Sequence, residues 1–180
     1  MLTDFSISLP ERGVTVLTGP SGCGKTTLAH ILLGLITPDR GEVPDFSGVR
    51  TAAVFQEDRL LEGYSARENA AFALRGTKKD RLERAAAALK ELGIDGASEE
   101  PAAELSGGMK RRVALARALA SAPFDLLVLD EPFAGLDGAA KQTAIEQIAA
   151  ASQSACVLLI THDTGDAAAL GAGVVTMDSI

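Results

Sequence analysis

Gly19-Pro20-Ser21-Gly22-Cys23-Gly24-Lys25-Thr26, with Thr27 behind it, sets the architecture of the whole chain. A short β-branched run, Val14–Thr18, leads into it, and a helical pattern through Leu28, Ile31 and Leu32 leaves it and stops at Gly34. Strand, glycine-rich loop, Lys-Thr and helix, in that order, match the P-loop pattern. Each residue type has a physical task there. Glycines let backbone N–H groups turn inward around phosphate oxygens, and the helix N-terminus adds about half a positive charge. Lys25 is suited to reach the β- and γ-phosphates of a nucleotide, and the Thr26 hydroxyl suits Mg²⁺, a hard cation. Cys23 sits inside the loop, where phosphoryl transfer needs no covalent nucleophile. Its thiol is expected to be shielded from alkylation by bound ATP. A chance glycine-rich turn would not bring strand, lysine, threonine and helix with it.

Further along, Leu126-Leu127-Val128-Leu129-Asp130-Glu131 is an apolar strand ending in two carboxylates. In an open parallel sheet, ligands gather at the carboxyl ends of strands. Asp130 is expected to hold Mg²⁺, and Glu131 to orient and deprotonate an attacking water. Two acids after a strand more often form a solvated turn, and here the P-loop reverses that preference. A second continuous apolar run, Val157–Ile160, and a last one, Gly173–Met177, read as further strands. Val49–Phe55 and Gly41–Pro44 read the same way, and Phe5, Ile7 and Leu9 alternate as in a half-buried strand.

Between them, Arg81–Leu92 is a strongly amphipathic helix closed by Gly93, and Ser65 with Glu68 has capping-box spacing. Ser106–Gly108 opens a helix through Ala120, and another lies near Ala139–Ala151. Strands without alternation, separated by helices, predict an α/β fold, a parallel sheet covered by helices on both faces. Residues 62–112 hold no convincing strand and are expected to form a helical subdomain inserted into a core of residues 1–61 and 113–180. A short antiparallel β region is expected beside the P-loop.

At 180 residues the chain suits one domain with a sizeable core. The net charge of −7 argues against broad nucleic-acid binding, which needs a basic surface. The basic run Lys110-Arg111-Arg112 reads as a solvated helix face. No apolar stretch approaches the roughly 18 residues of a membrane span, and a secretory signal is not expected, since the first residues include Asp4 and lack a basic segment followed by an apolar one. The two cysteines, Cys23 and Cys156, suggest no disulfide framework, which fits a reducing cytoplasm.

Leu105-Ser106-Gly107-Gly108-Met109-Lys110-Arg111 resembles the signature sequence of the ABC ATPases. The resemblance covers nearly the whole chain in the family's order. Gln56 in Val54-Phe55-Gln56 is similar to the Q-loop, Ala134-Gly135-Leu136-Asp137 to the D-loop, and Ile160-Thr161-His162-Asp163 to the switch-histidine segment. Each motif alone is weak, and five in order are highly specific. Ser106 before two glycines at a helix start is also an anion site in its own right, built from a hydroxyl, bare N–H groups and a dipole. One chain therefore carries two half-sites for one triphosphate.

The resemblance implies a resolution, a head-to-tail pair of such domains in a homodimer. Ser106, Gly107 and Gly108 of one chain would then face the γ-phosphate on the P-loop of the other. It also implies that Gln56 touches Mg²⁺ or the attacking water, that His162 bonds the γ-phosphate and holds Glu131, and that Asp137 stands at the dimer interface. Residues Glu57–Tyr64 would meet a transmembrane permease subunit, with the ATPase peripheral on the cytoplasmic face of the membrane. Val54–Leu61, followed by Arg67-Glu68-Asn69, looks like the ATPases of bacterial importers of nitrate, sulfonate and taurine.

The chain departs from that pattern in places. The family's usual upstream aromatic, which stacks on adenine, has no counterpart, since Phe5 alternates into a core pattern. Weak nucleotide binding is therefore expected, by about 1–3 kcal/mol in analogy with base–aromatic stacking. The segment Glu42–Arg50 is compressed, and a regulatory C-terminal domain is not expected. Two rival functions fit the same motifs: a soluble ABC ATPase of the cofactor-assembly type, and a degenerate domain that binds without turnover. The presence of Lys25, Asp130, Glu131 and His162 speaks against the second.

Overall fold

The computed structural model describes residues 5–44 and 48–178. Among them, Gly13–Thr18 (β1), Thr51–Val54 (β2), Leu126–Asp130 (β3), Cys156–Ile160 (β4) and Gly173–Thr176 (β5) form one sheet in the order β2-β3-β4-β1-β5. Every pairing is parallel. The apolar runs without alternation become its centre. All residues of β3 and β4 are buried, because both faces of the sheet are covered.

Successive residues of a strand point to opposite faces, and here they feed two separate cores. Leu127, Leu129, Val157 and Leu159 join one core; Leu126, Val128, Leu158 and Ile160 join the other. Helix Lys25–Leu32 (α1) closes the second face with Leu28, Ala29 and Leu32. The first face is covered by Gly107–Ala120 (α4) and Gly138–Ser152 (α5), through Val113, Ala114, Ala144 and Ile148. Each fully buried Leu or Val contributes about 1.5–3 kcal/mol, which makes this double burial the main force behind the sheet.

Between β2 and β3 the chain is helical, with Ala66–Ala71 (α2) and Lys78–Glu91 (α3) preceding α4. The capping box forms: Ser65 Oγ accepts from Glu68 N, and Glu68 Oε2 accepts from Ser65 N. Buried Asn69 donates to the carbonyls of Leu61, Tyr64 and Ser65 and so fastens the loop before α2. The helix expected from Arg81 begins a turn earlier, because Thr77 caps it through Asp80 N. Helices α2 and α3 share one hydrophobic core with the sheet face, and α4 runs unbroken across residue 112. Gly165–Leu170 (α6) leads into β5. No helix among the described residues is long and apolar enough to cross a membrane.

The expected antiparallel region does not form among the described residues. Phe5, Ile7 and Leu9 pack half-buried against the second core, as their alternation predicts, but pair with no strand. Gly41–Pro44 is likewise not a strand. Pro38 and Pro44 lack the N–H a ladder needs, and residues 45–47 lie outside the described residues. Val49–Phe55 shortens to β2.

Candidate functional site

Gly19 takes φ +149, Gly22 φ +82 and Gly24 φ +109, conformations that turn loop N–H groups inward and that side chains resist. At Gly19 the demand is also steric, since a Cβ would collide with the Met177 carbonyl oxygen. Pro20 and Ser21 are exposed on the loop, and Thr27 is half-buried in the first turn of α1. Lys25 folds over its own loop, donating to the carbonyls of Gly19 and Pro20 at 2.8 Å each. Cys23 lies beneath, its sulfur 3.7 Å from Lys25 Nζ and only 4% exposed. The Cys23 side chain is thus already largely buried by the chain itself.

The ends of β1, β3 and β4 meet because the strands are in register: Leu17 and Asp130 both pair with Ile160. Asp130 at the end of β3 is 5% exposed and accepts from Thr26 Oγ1 at 2.9 Å. Burial pushes its carboxyl above the usual carboxylate range, the bond from Thr26 and the nearby Lys25 pull it back, and Glu131 adds repulsion. A buried anion beside a hydroxyl oxygen is a donor set of the kind Mg²⁺ prefers.

Glu131 adopts φ +50, unusual for any residue but glycine, and its N–H is fixed on Ile160 O at 2.9 Å. The turn brings its carboxylate to His162, whose Nδ1 lies 3.0 Å from both Oε1 and Oε2. Hydrogen bonding to Glu131, then its charge, raises the His162 pKa above the ordinary imidazole value, with Asp163 and Asp166 adding to it.

Gln56 follows β2 with its side chain exposed. Its position is set by two arginines of α4 that the sequence reading missed. Arg111 donates to the carbonyls of Phe55 and Gln56 and pairs with Asp58 at 3.2 Å. Nearly two helical turns on, Arg117 donates to the carbonyls of Asp58 and Arg59. Arg111 is 5% exposed, so Lys110-Arg111-Arg112 is not simply a solvated face. The signal was present: Arg111 stands three, four and seven residues before Ala114, Leu115 and Ala118, on the buried stripe of α4.

Ser106 caps α4, its Oγ accepting from Met109 N at 3.3 Å, and both Ser106 and Gly107 are exposed. Gly108 has a second reason to be glycine: a Cβ there would meet Gly135 O at 2.7 Å, so the start of α4 rests on the 134–137 turn. Asp137, also exposed, caps α5 by accepting from Ala140 N at 2.8 Å. Among the described residues no hydrogen bond joins Ser106 or Asp137 to the P-loop. The structure thus gathers Lys25, Thr26, Asp130, Glu131 and His162 in one place, and leaves Ser106, Gly107 and Asp137 on outward-facing surface.

A parallel sheet with a P-loop after β1 and a buried acid at the end of β3 defines a P-loop nucleoside triphosphatase. Residues 2–134 match the family model described as "ABC transporter". The chain is 39% identical over 189 residues to the taurine import ATP-binding protein TauB of Pseudomonas aeruginosa (strain UCBPP-PA14), an alignment covering 99% of this chain and 72% of that protein. It is 44% identical over 181 residues, with the same coverages, to the aliphatic sulfonates import ATP-binding protein SsuB 1 of Nocardia farcinica. A bacterial ABC transporter cassette solved as a dimer superposes with TM-score 0.85 at 26% identity, covering 98% of this chain and 86% of that one. The same cassette is known in a post-hydrolysis state bound to ADP and Pi. The chain belongs to the ABC transporter family and is an ATP-binding, ATP-hydrolysing transport subunit. The expected likeness to sulfonate and taurine importers is borne out.

Proposed function

We propose that this subunit drives a separate transmembrane permease from the cytoplasmic face of the membrane, as a head-to-tail homodimer that closes on ATP and Mg²⁺. The observation that carries the reading is the convergence of Lys25, Thr26, Asp130, Glu131 and His162 at the ends of three adjacent strands. ATP, the substrate, draws the Lys25 ammonium off the Gly19 and Pro20 carbonyls onto its β- and γ-phosphates. Loop N–H groups from Gly19 to Thr27 surround the same oxygens. Thr26, Asp130 and Gln56 would hold Mg²⁺, which when bound would supply positive charge to the phosphate oxygens. Glu131 takes a proton from the attacking water, oxygen bonds to the γ-phosphorus, and ADP leaves with the bridging electrons. His162 bonds the γ-phosphate and keeps Glu131 in line. Ser106, Gly107 and Gly108 of the second protomer cap the triphosphate, with Asp137 beside them at the interface.

Residues 62–112 act as a helical subdomain on the core of residues 1–61 and 113–180, and Glu57–Tyr64 meet the permease. The names of the relatives support a small sulfonate as the solute, whose contacts lie on other subunits. Glu131→Gln should bind ATP, lose turnover and accumulate as a dimer, read by sedimentation with saturating ATP and Mg²⁺. A strictly monomeric mutant sinks the head-to-tail sandwich. Tagged Glu131→Gln protein, pulled from detergent-solubilised membranes of its native host, should bring a stoichiometric multi-span protein. Recovery of soluble proteins alone would move the ATPase off the membrane.

A further inference from the structure

Asp166 is the most buried ionisable side chain among the described residues, at 1% exposed. A carboxylate so placed is kept only when it is paired. Lys141 Nζ lies 2.6 Å from its Oδ1, and Thr161 Oγ1 donates to its Oδ2 at 2.8 Å. The same ammonium donates to Asp163 Oδ2 at 2.9 Å and stands 5.6 Å over the Phe133 ring. Asp163 is held from within as well: its N–H donates to Thr161 Oγ1, and its Oδ1 accepts from Gly165 N. Both residues flanking His162 are therefore gripped, Thr161 through Asp166 and Asp163 through Lys141. The His162 side chain is 83% exposed and, among the described residues, hydrogen-bonds Glu131. So exposed a ring has little packing among the described residues to aim it besides Glu131, and its aim depends on the backbone on either side.

We propose that Lys141 is a positioning residue: by gripping Asp163 and Asp166 it fixes the backbone flanking His162 and keeps the imidazole on Glu131. The inference rests on the reading of Glu131 and His162 as a working pair. Lys141 lies one helical turn after Asp137, and its N–H donates to the Asp137 carbonyl at 2.8 Å. The grip thus also ties His162 to the first turn of α5. The charges agree: Asp166 and Asp163 raise the Lys141 pKa, and Lys141 lowers that of Asp163.

Two readouts separate positioning from simple bracing of α5 against α6. In ATPase assays, Lys141→Met should lower kcat about tenfold with KM for ATP within about twofold, and Lys141→Arg should restore most of it. The same Lys141→Met change should cost nothing further in a His162→Ala background, because a residue acting through His162 has nothing left to act on. An equal loss in both backgrounds would overturn the proposal. Without nucleotide, the chain's two histidines allow a direct reading by ring NMR, His162 being the signal lost in His162→Ala. Glu131→Gln should shift that signal in the parent, and by less than half as much in Lys141→Met; an undiminished shift overturns the proposal. If Lys141→Met does not fold, Lys141→Met with Asp166→Asn removes the unpaired buried carboxylate and is judged by the same criteria. A parent signal indifferent to Glu131→Gln would mean no Glu131–His162 pair. That outcome removes the catalytic reading itself, and this inference with it.

Discussion

Glu131 combines two properties that oppose each other. Its carboxylate is the base of the proposed chemistry, while its φ of +50 is a conformation only glycine adopts without cost. The turn is imposed by the Glu131 N–H on Ile160 O and by Pro132 behind it. Strain at a working residue is a known place for stability to be given up. Glu131→Gln and Glu131→Gly both remove the base, and the first keeps the strain. We expect both to lose turnover, and Glu131→Gly to unfold at higher denaturant than Glu131→Gln, by about 1 kcal/mol. Equal urea midpoints would show that the turn is not strained. Gly19 is the opposite case, a site where any Cβ collides with the Met177 carbonyl. There glycine is demanded by the fold before any phosphate arrives.

At the scale of elements, β2 sits on the edge of the sheet and is anchored at its start by Arg50 and Asp125. Arg50 Nη2, Nε and backbone N all donate to the Asp125 carboxylate, at 2.7, 3.1 and 2.9 Å. The side-chain bond from Arg50, first, and its backbone N–H hold Asp125 at about 2 rather than 3.8. The folded pKa is the lower one, so the pair favours folding above the ordinary carboxylate range. That contribution is lost as pH falls from 3.8 towards about 2. Asp125→Asn should flatten the fall of urea midpoint across that window, with the parent's advantage over the variant full at neutral pH and gone by about pH 2. A slope equal to the parent's would show the pair to be inert, as many exposed pairs are. The pair was not legible in sequence, because its partners are 75 residues apart. What was legible followed from local rules. Unbroken apolar runs gave β3 and β4, and Gly-rich punctuation gave the P-loop and the start of α4. The Ser65–Glu68 spacing gave the cap of α2. Where the sequence misled, the deciding fact was tertiary: alternation at Phe5–Leu9 found a core but no strand partner. Arg111, Arg117 and the Lys141–Asp166 grip were missed because a charge on a helix reads as solvated until its neighbours are known.

The whole molecule presents one question that no single chain answers. Ser106, Gly107 and Asp137 lie exposed, and among the described residues no hydrogen bond ties Ser106 or Asp137 to the P-loop cluster. A head-to-tail pair would bring each Ser106 to the other's P-loop, and mixing experiments test that arrangement directly. Lys25→Ala removes charge-assisted bonds worth about 1.5–3 kcal/mol and should disable the P-loop half. Ser106→Glu sets a negative charge against the triphosphate and should disable the other half. Each variant alone then has two damaged composite sites and little turnover. In a mixed dimer both defects fall on one site, and the second site is built from the intact P-loop of one chain and the intact Ser106 of the other. Random pairing makes half the dimers mixed, so an equimolar mixture should recover up to about a quarter of parental turnover, if one intact site suffices. Recovery should follow the product of the two concentrations, because it needs association. A mixture no more active than its parts would mean that each chain completes its site alone, and the exposed Ser106 would be left as the cap of α4 and nothing more.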